Sequence, residues 1–248
     1  MQSIPREIVG LDSTGRRATP VPNVFGMNFQ SVSVGQRLAK SGLLDAPGLT
    51  GGYLDANATP GAAMTLQLAF VDNARGRMVA ELKANGIADQ TLIIVGAKHG
   101  QSPIDLKQWQ AVSDASYTET PGYGFHIADD VGVVWLAPET AAAARAAASE
   151  YLLSQTDTLK IAGLAGRDIL RNFYQDPATD SRTPDIITVS QQGAIYTGGS
   201  KLSEHGGFAD DDRNGTLLVS APSMKGSVVT GRRRDAADRA DDPACAWA

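Results

Sequence analysis

Apolar residues recur at close to helical spacing from Met64 through Leu68, Val71, Met78 and Val79 to Leu82, and Asn85-Gly86 follows as a stop. That pattern predicts a helix over 62–85, because positions three and four apart share one helix face and a glycine readily takes the backbone conformation that ends it. Immediately downstream, TLIIVGA (91–97) is a continuous β-branched and leucine run. It is too short for a stable helix and apolar on both faces, so it reads as a strand covered on either side. Further strands are predicted at 131–136, 185–190, 194–197 and 216–220, and PNVFGMNFQ (22–30) reads as a buried strand opening after proline. A long alanine-rich helix is expected from Pro138, since proline suits a first helical turn and Glu139 would face the positive end of the helix dipole. The segment 46–61, rich in Gly, Pro, Thr and Asn, reads as a loop. Helices feeding buried strands make the chain an α/β protein.

Composition narrows the class without changing it. The chain has 248 residues, 42% hydrophobic and 20% charged, the make-up of a globular protein large enough for one sizeable core. A formal net charge of -5 gives no electrostatic reason to expect a nucleic-acid duplex or an anionic membrane as partner. No run approaches the roughly 18 apolar residues of a membrane span, and MQSIPREIVG lacks the basic-then-apolar order of a signal peptide. The compartment is therefore not read from the sequence. Cys245 is the only cysteine, so no intrachain disulfide can form.

Candidate chemistry sits at two turns, Gly96-Ala97-Lys98-His99-Gly100 and Ser203-Glu204-His205-Gly206-Gly207. A neutral imidazole is a common metal ligand, and a following glycine lets the chain turn sharply enough to point the ring into a cleft at a strand end. The roughly one hundred residues between the turns, about 102–200, must leave and return to the same place, as an inserted lobe does. His126, between Phe125 and Ile127 in an expected strand, reads as a packed or surface histidine. Asp210-Asp211-Asp212 before Asn-Gly suits a solvated turn as well as a cation site, and Glu204 suits either an orienting acceptor for His205 or a solvent-facing carboxylate. Phosphate-loop, HExxH, CxxC and GxSxG motifs do not occur.

Taken together, VDNARGRMVAELKANGIADQTLIIVGAKHGQSPID and KLSEHGGFADDDRNGTLLVSAP resemble the type I phosphodiesterase/nucleotide pyrophosphatase branch of the alkaline phosphatase superfamily. The ordered parts are an aspartate-led helix, a buried strand, a His-Gly turn, a long insert, a second His-Gly turn and a final strand. The resemblance spans about residues 7–230 and corresponds to the C-terminal half of a complete member. It implies a three-layer α/β/α sandwich, alkaline phosphatase-like and truncated, with an inserted lobe, as a partial domain over 1–230. It also implies hydrolysis of phosphate esters by a Ser or Thr nucleophile beside two divalent metals, usually zinc, which stabilise the attacking and leaving oxygens. His99 then matches a histidine of one metal site and His205 the late histidine of the other. The implied partner is a phosphate ester or nucleotide-like small molecule, and relatives are often secreted or periplasmic.

The chain departs from that pattern in three places. Lys98 stands where the family has Asp, and an ammonium beside a dication is repulsive; it is instead a candidate substrate-binding charge facing a phosphate. The stretch from Asn28 to Gln36 lacks the family's Asp and His, leaving Asn28, Gln30 and Gln36 as neutral oxygen donors, with Asn28 a second candidate substrate contact. No residue here is assigned as nucleophile. The expected reading is thus a hydrolase-type chain that is inactive in isolation; the competing ones are a non-catalytic binding or scaffolding remnant, and a half-domain that needs a separate N-terminal half. The charged segment 231–248 reads as a disordered tail. With permitted codons its next reading frame spells ETRQIAPTILRALG, similar to a family helix, so a frameshift is expected there.

Overall fold

The computed structural model describes residues 2–40, 47–165, 170 and 172–229. The segment 231–248, with its expected tail and frameshift, lies outside the described residues. In chain order the elements are helices α1 (Ser3–Ile8), α2 (Gln30–Arg37) and α3 (Ala62–Ala84), then strands β1 (Ile93–Gly96), β2 (Gln110–Val112), β3 (Tyr123–Ala128) and β4 (Val131–Leu136). Helix α4 (Ala141–Ser154), strands β5 (Ile161–Leu164), β6 (Ile186–Ser190) and β7 (Ala194–Tyr196), the single-turn helix α5 (Asp210–Arg213) and strand β8 (Leu217–Ser220) complete them. The mixed α/β class expected from the sequence is what forms.

Three sheets organise these elements: β1 with β8 antiparallel, β2 with β7 parallel, and a four-stranded antiparallel sheet in the order β3-β4-β6-β5. Strand β4 shows how the larger sheet is held. Its even residues Val134 and Leu136 join Ala148 and Leu152 of α4, Ile161 and Ile186 in one core cluster, while Val131 and Val133 face the opposite side with Ile187 and Phe208. Side chains alternate along a strand, so an all-apolar strand serves two layers at once. Within the first cluster the Tyr117 hydroxyl meets Thr188 Oγ1 at 2.7 Å and donates to the Tyr196 hydroxyl at 3.0 Å, so its buried oxygen is matched.

Helix α3 ends as predicted, with Gly86 at φ +68 one residue past its Asn85 cap. It packs with α1 around Ile4, Ile8 and Leu82, and Ile93 of β1 leans on that cluster. Three expectations fail. No strand forms over 22–30: the segment is irregular and Val24 is 85% exposed, because no strand among the described residues lies beside it to complete a ladder. Strand β1 is not covered on both sides: Ile93 and Val95 are half-buried toward the helices, whereas Ile94 is 62% exposed. The alanine-rich helix also begins later than Pro138, at Ala141, after a turn in which the Thr140 amide donates to the Ala137 carbonyl at 2.9 Å.

Candidate functional site

The two histidine turns are zipped together by backbone. Ser102 and Glu204 exchange both amide-to-carbonyl bonds at 2.9 Å, and the Gly100 amide donates to the Asp212 carbonyl at 2.5 Å. Gly100 has no room for a side chain, because a Cβ there would collide with the Asp211 carbonyl. This close approach across about a hundred residues brings the rings of His99 and His205 to a centroid separation of 4.1 Å, tilted by 33°. Side-chain bonds add to the zipper: the Ser203 hydroxyl donates to Gln101 Oε1 at 2.9 Å, and Gln101 Nε2 donates to Ser33 Oγ of α2 at 2.6 Å.

His99 Nδ1 lies 2.6 Å from the Gly100 carbonyl oxygen. A carbonyl can only accept, so Nδ1 carries the proton and Nε2 keeps its lone pair. That Nε2 is buried and has no hydrogen-bond partner. Burial, and next the neighbouring His99, push the His205 pKa down, which favours a neutral ring there as well. In its neutral form His99 therefore presents the Nε2 lone pair that ligates cations.

Four carboxyl groups gather at the second histidine turn. Glu204 is fully buried and bonds Arg37 Nη2 at 2.8 Å as well as Lys201 Nζ. It is thus not a solvent-facing carboxylate, and its ion pairs anchor the second histidine turn to α2. Asp212 is buried rather than part of a solvated turn; its Oδ2 accepts from the Gly206 amide at 2.9 Å, and its Oδ1 has no partner. Asp130, on the β3–β4 turn, has both carboxyl oxygens buried, with the backbone amides of Asp130 and Gly207 as its donors. Burial, and next the proximity of Asp212, push its pKa up to about 8. Burial also raises the pKa of Asp129 and of Asp212. Asp129 and Asp130 were missed by sequence reasoning, since consecutive acids at a hairpin tip look like a solvated turn and the packing of Gly207 against Asp130 is long-range.

The other candidates are placed apart from this centre. Lys98 is exposed beside the first histidine. Asn28 is exposed, and its Nδ2 donates to Gln30 Oε1 at 3.4 Å rather than to an imidazole. His126 packs on Tyr117 with ring centroids 5.1 Å apart and meets the Tyr123 hydroxyl at 2.9 Å through Nδ1, as a packed histidine does.

The donor chemistry of two imidazoles in anionic surroundings suits a divalent ion, and the orphaned His99 Nε2 is what such an ion would satisfy. A complete set is nevertheless missing: among the described residues no group of three or more His, Cys, Asp or Glu is placed to hold a metal. These residues do not by themselves fit a metal ion. Among the described residues no helix is long and apolar enough to cross a membrane.

The family model for type I phosphodiesterase/nucleotide pyrophosphatase matches residues 44–213. No curated protein matches the sequence. Among solved structures, human ectonucleotide pyrophosphatase/phosphodiesterase 5 is similar at 15% identity, covering 65% of this chain and 42% of that one, with a TM-score of 0.47. The murine protein is similar at 14% identity over 84% of this chain and 57% of that one, TM-score 0.46. An inactive form of the murine protein in complex with AMP gives 14%, 84%, 56% and 0.44. The chain thus spans about half the length of these structures.

Proposed function

The chain belongs to the type I phosphodiesterase/nucleotide pyrophosphatase family, and we propose that it carries one side of a phosphoester hydrolase site which is inactive in this chain alone. His99 and His205 are the proposed divalent-metal ligands, with zinc the metal their donor type favours. The exposed ammonium of Lys98 is the proposed contact to a substrate phosphate, and Asn28 a second, neutral one. The substrate class is a phosphodiester or nucleotide-like phosphate ester. The observation that carries this reading is the buried, unpartnered Nε2 of His99 beside the His205 ring, 4.1 Å away between centroids.

Two imidazoles hold zinc weakly, because a stable site takes three or four ligands. No hydrolytic step is therefore assigned to this chain. What its residues do is hold two imidazole rings side by side, with burial favouring the neutral form of His205. A second reading, a half-domain completed by a separate N-terminal half, is favoured by the bare apolar face of the β1–β8 ribbon, where Ile94 and Leu217 are 62% and 60% exposed.

The test is hydrolysis of bis(p-nitrophenyl) phosphate by the purified chain, with and without zinc, alongside zinc titration of the wild type and of His205→Ala. The expected result is no turnover, with weak zinc uptake that the substitution abolishes. Zinc-dependent turnover would overturn the inactivity, and identical uptake by both proteins would overturn the ligand assignment.

A further inference from the structure

Asparagine followed by glycine occurs twice in the chain, at Asn85-Gly86 and at Asn214-Gly215. Glycine carries no Cβ, so its amide nitrogen reaches the side-chain carbonyl carbon of a preceding asparagine with least hindrance. All four residues are exposed, so access of water does not separate the two pairs. Hydrogen bonding does. Asn85 caps α3, its Nδ2 donating to the Glu81 carbonyl at 2.9 Å, and the Gly86 amide donates to the Lys83 carbonyl at 3.1 Å. Among the described residues no hydrogen bond holds the Asn214 side chain or the Gly215 amide. The bond that Asn214 does make, from its own amide to the Asp210 carbonyl at 2.8 Å, leaves both of those groups loose.

The loose pair lies between two anchors of the histidine turns. Before it, Asp212 is 3% exposed; its carbonyl accepts from the Gly100 amide at 2.5 Å and its Oδ2 from the Gly206 amide at 2.9 Å. After it, the Thr216 carbonyl accepts from the Ala97 amide at 2.9 Å, and β8 runs on along β1. Gly215 itself lies against the first turn, where a Cβ would come 3.1 Å from the Ala97 carbonyl oxygen. The short span from Asp212 to Thr216 therefore fixes how the His99 turn meets the His205 turn. A chain held so closely on both sides cannot change length without moving an anchor.

We infer that Asn214-Gly215 is a self-modification site whose isoaspartate product loosens the histidine pair. The Gly215 amide nitrogen attacks Asn214 Cγ and forms a C–N bond, while the side-chain nitrogen takes up the amide proton and leaves as ammonia. Water then opens the cyclic imide at either carbonyl, giving aspartate or isoaspartate. Only isoaspartate routes the backbone through the former side chain, which adds one methylene, roughly 1.5 Å of chain, between the two anchors. Both products add a carboxylate to the acidic run Asp210-Asp211-Asp212. The modification does not depend on what the two rings bind.

The site is tested by ageing the full chain in mildly alkaline buffer, folded and in urea, and mapping its peptides by mass with isoaspartate-specific methylation. In the folded chain Asn214 is expected to convert about tenfold or more faster than Asn85, because two hydrogen bonds must open first at Asn85. In urea the two are expected to convert at similar rates. Equal rates in the folded chain, or a difference that persists in urea, overturns the site. Amide NMR of the aged chain beside Asn214→Asp tests the consequence. The isoaspartate fraction is expected to shift the Gly100 and Gly206 amides, and Asn214→Asp, which adds the charge without the methylene, to leave them in place. If fresh and aged chains share both positions, the span tolerates the extra atom and the loosening is overturned. If Asn214→Asp shifts them as far, charge rather than chain length is the cause, and the loosening by lengthening is overturned as well. Should Asn214→Asp not fold, the comparison of fresh and aged wild type decides by itself.

Discussion

At Asp130 the folded chain holds a carboxyl whose pKa is pushed up to about 8 from a model-peptide value of 3.8, first by burial and then by Asp212. Below about pH 4 both folded and unfolded states are protonated there, and the group adds no pH dependence. Between the two values the folded state keeps a proton that the unfolded state has lost, so stability falls as pH rises and levels off above about 8. Each pH unit in that window costs roughly 1.4 kcal/mol at most. Asp130→Asn removes this linkage, so urea unfolding at pH 5 and pH 8 should show the variant gaining a few kcal/mol on the wild type between them. Asp212 is coupled to Asp130, so the difference between the two proteins reports the titration of the pair; equal slopes in both would show that Asp130 is ionised when folded. Glu204 has the opposite role. It is fully buried beside the partly exposed cations Arg37 and Lys201, which can rehydrate, so Glu204→Ala should cost about 1–3 kcal/mol in the same assay. A loss under about 1 kcal/mol would mean that the ion pairs only replace hydration.

Among the elements, α4 shows most simply how burial decides the cost of a change. Leu152 is fully buried in the cluster with Val134 and Ile161, whereas the adjacent Leu153 is 50% exposed. Leu152→Ala should cost about 2–5 kcal/mol, and Leu153→Ala no more than about 0.5 kcal/mol; comparable losses would place the core on the wrong face of the helix. The sequence was most legible where the signal is local. The helix over 62–85 was readable from spacing plus Asn85-Gly86, and β4 and β6 from short aliphatic runs, since each pattern is contained in the segment itself. A strand over 22–30 was misread because strand formation depends on a neighbour, and no feature of PNVFGMNFQ reveals that none is beside it. The histidine turns were readable through their glycines, and Gly100 is needed for the approach of the Asp211 carbonyl. Asp130 was not, because its burial comes from Gly207, far away in the chain.

At the scale of the whole molecule, the β1–β8 ribbon is covered on one side only among the described residues. In the ladder Ile94 pairs with Val219 and Gly96 with Leu217, so Ile94, Val219 and Leu217 share one face, with Leu92 continuing it. Their exposures are 62%, 42%, 60% and 57%, while Ile93 on the opposite face leans on the α1–α3 cluster. Leu218, on the Ile93 side by parity, is also 53% exposed, so helix cover does not reach across β8. Neither strand carries a charge or a proline to discourage further pairing. A two-stranded ribbon is marginal in water without a third strand or a packed face, and four neighbouring aliphatics form the kind of patch that drives association. The isolated chain should therefore self-associate with rising concentration in analytical ultracentrifugation. Ile94→Thr with Leu217→Thr keeps β-branched or strand-compatible side chains while removing apolar surface that folding does not bury, so it should shift the chain toward monomer and change the urea midpoint little, by about 0.5 kcal/mol or less per site. If the double variant associates as strongly as the wild type, the contact lies elsewhere and the bare face is not what a completing half-domain covers. If it instead unfolds, these side chains are already buried against the chain's own residues.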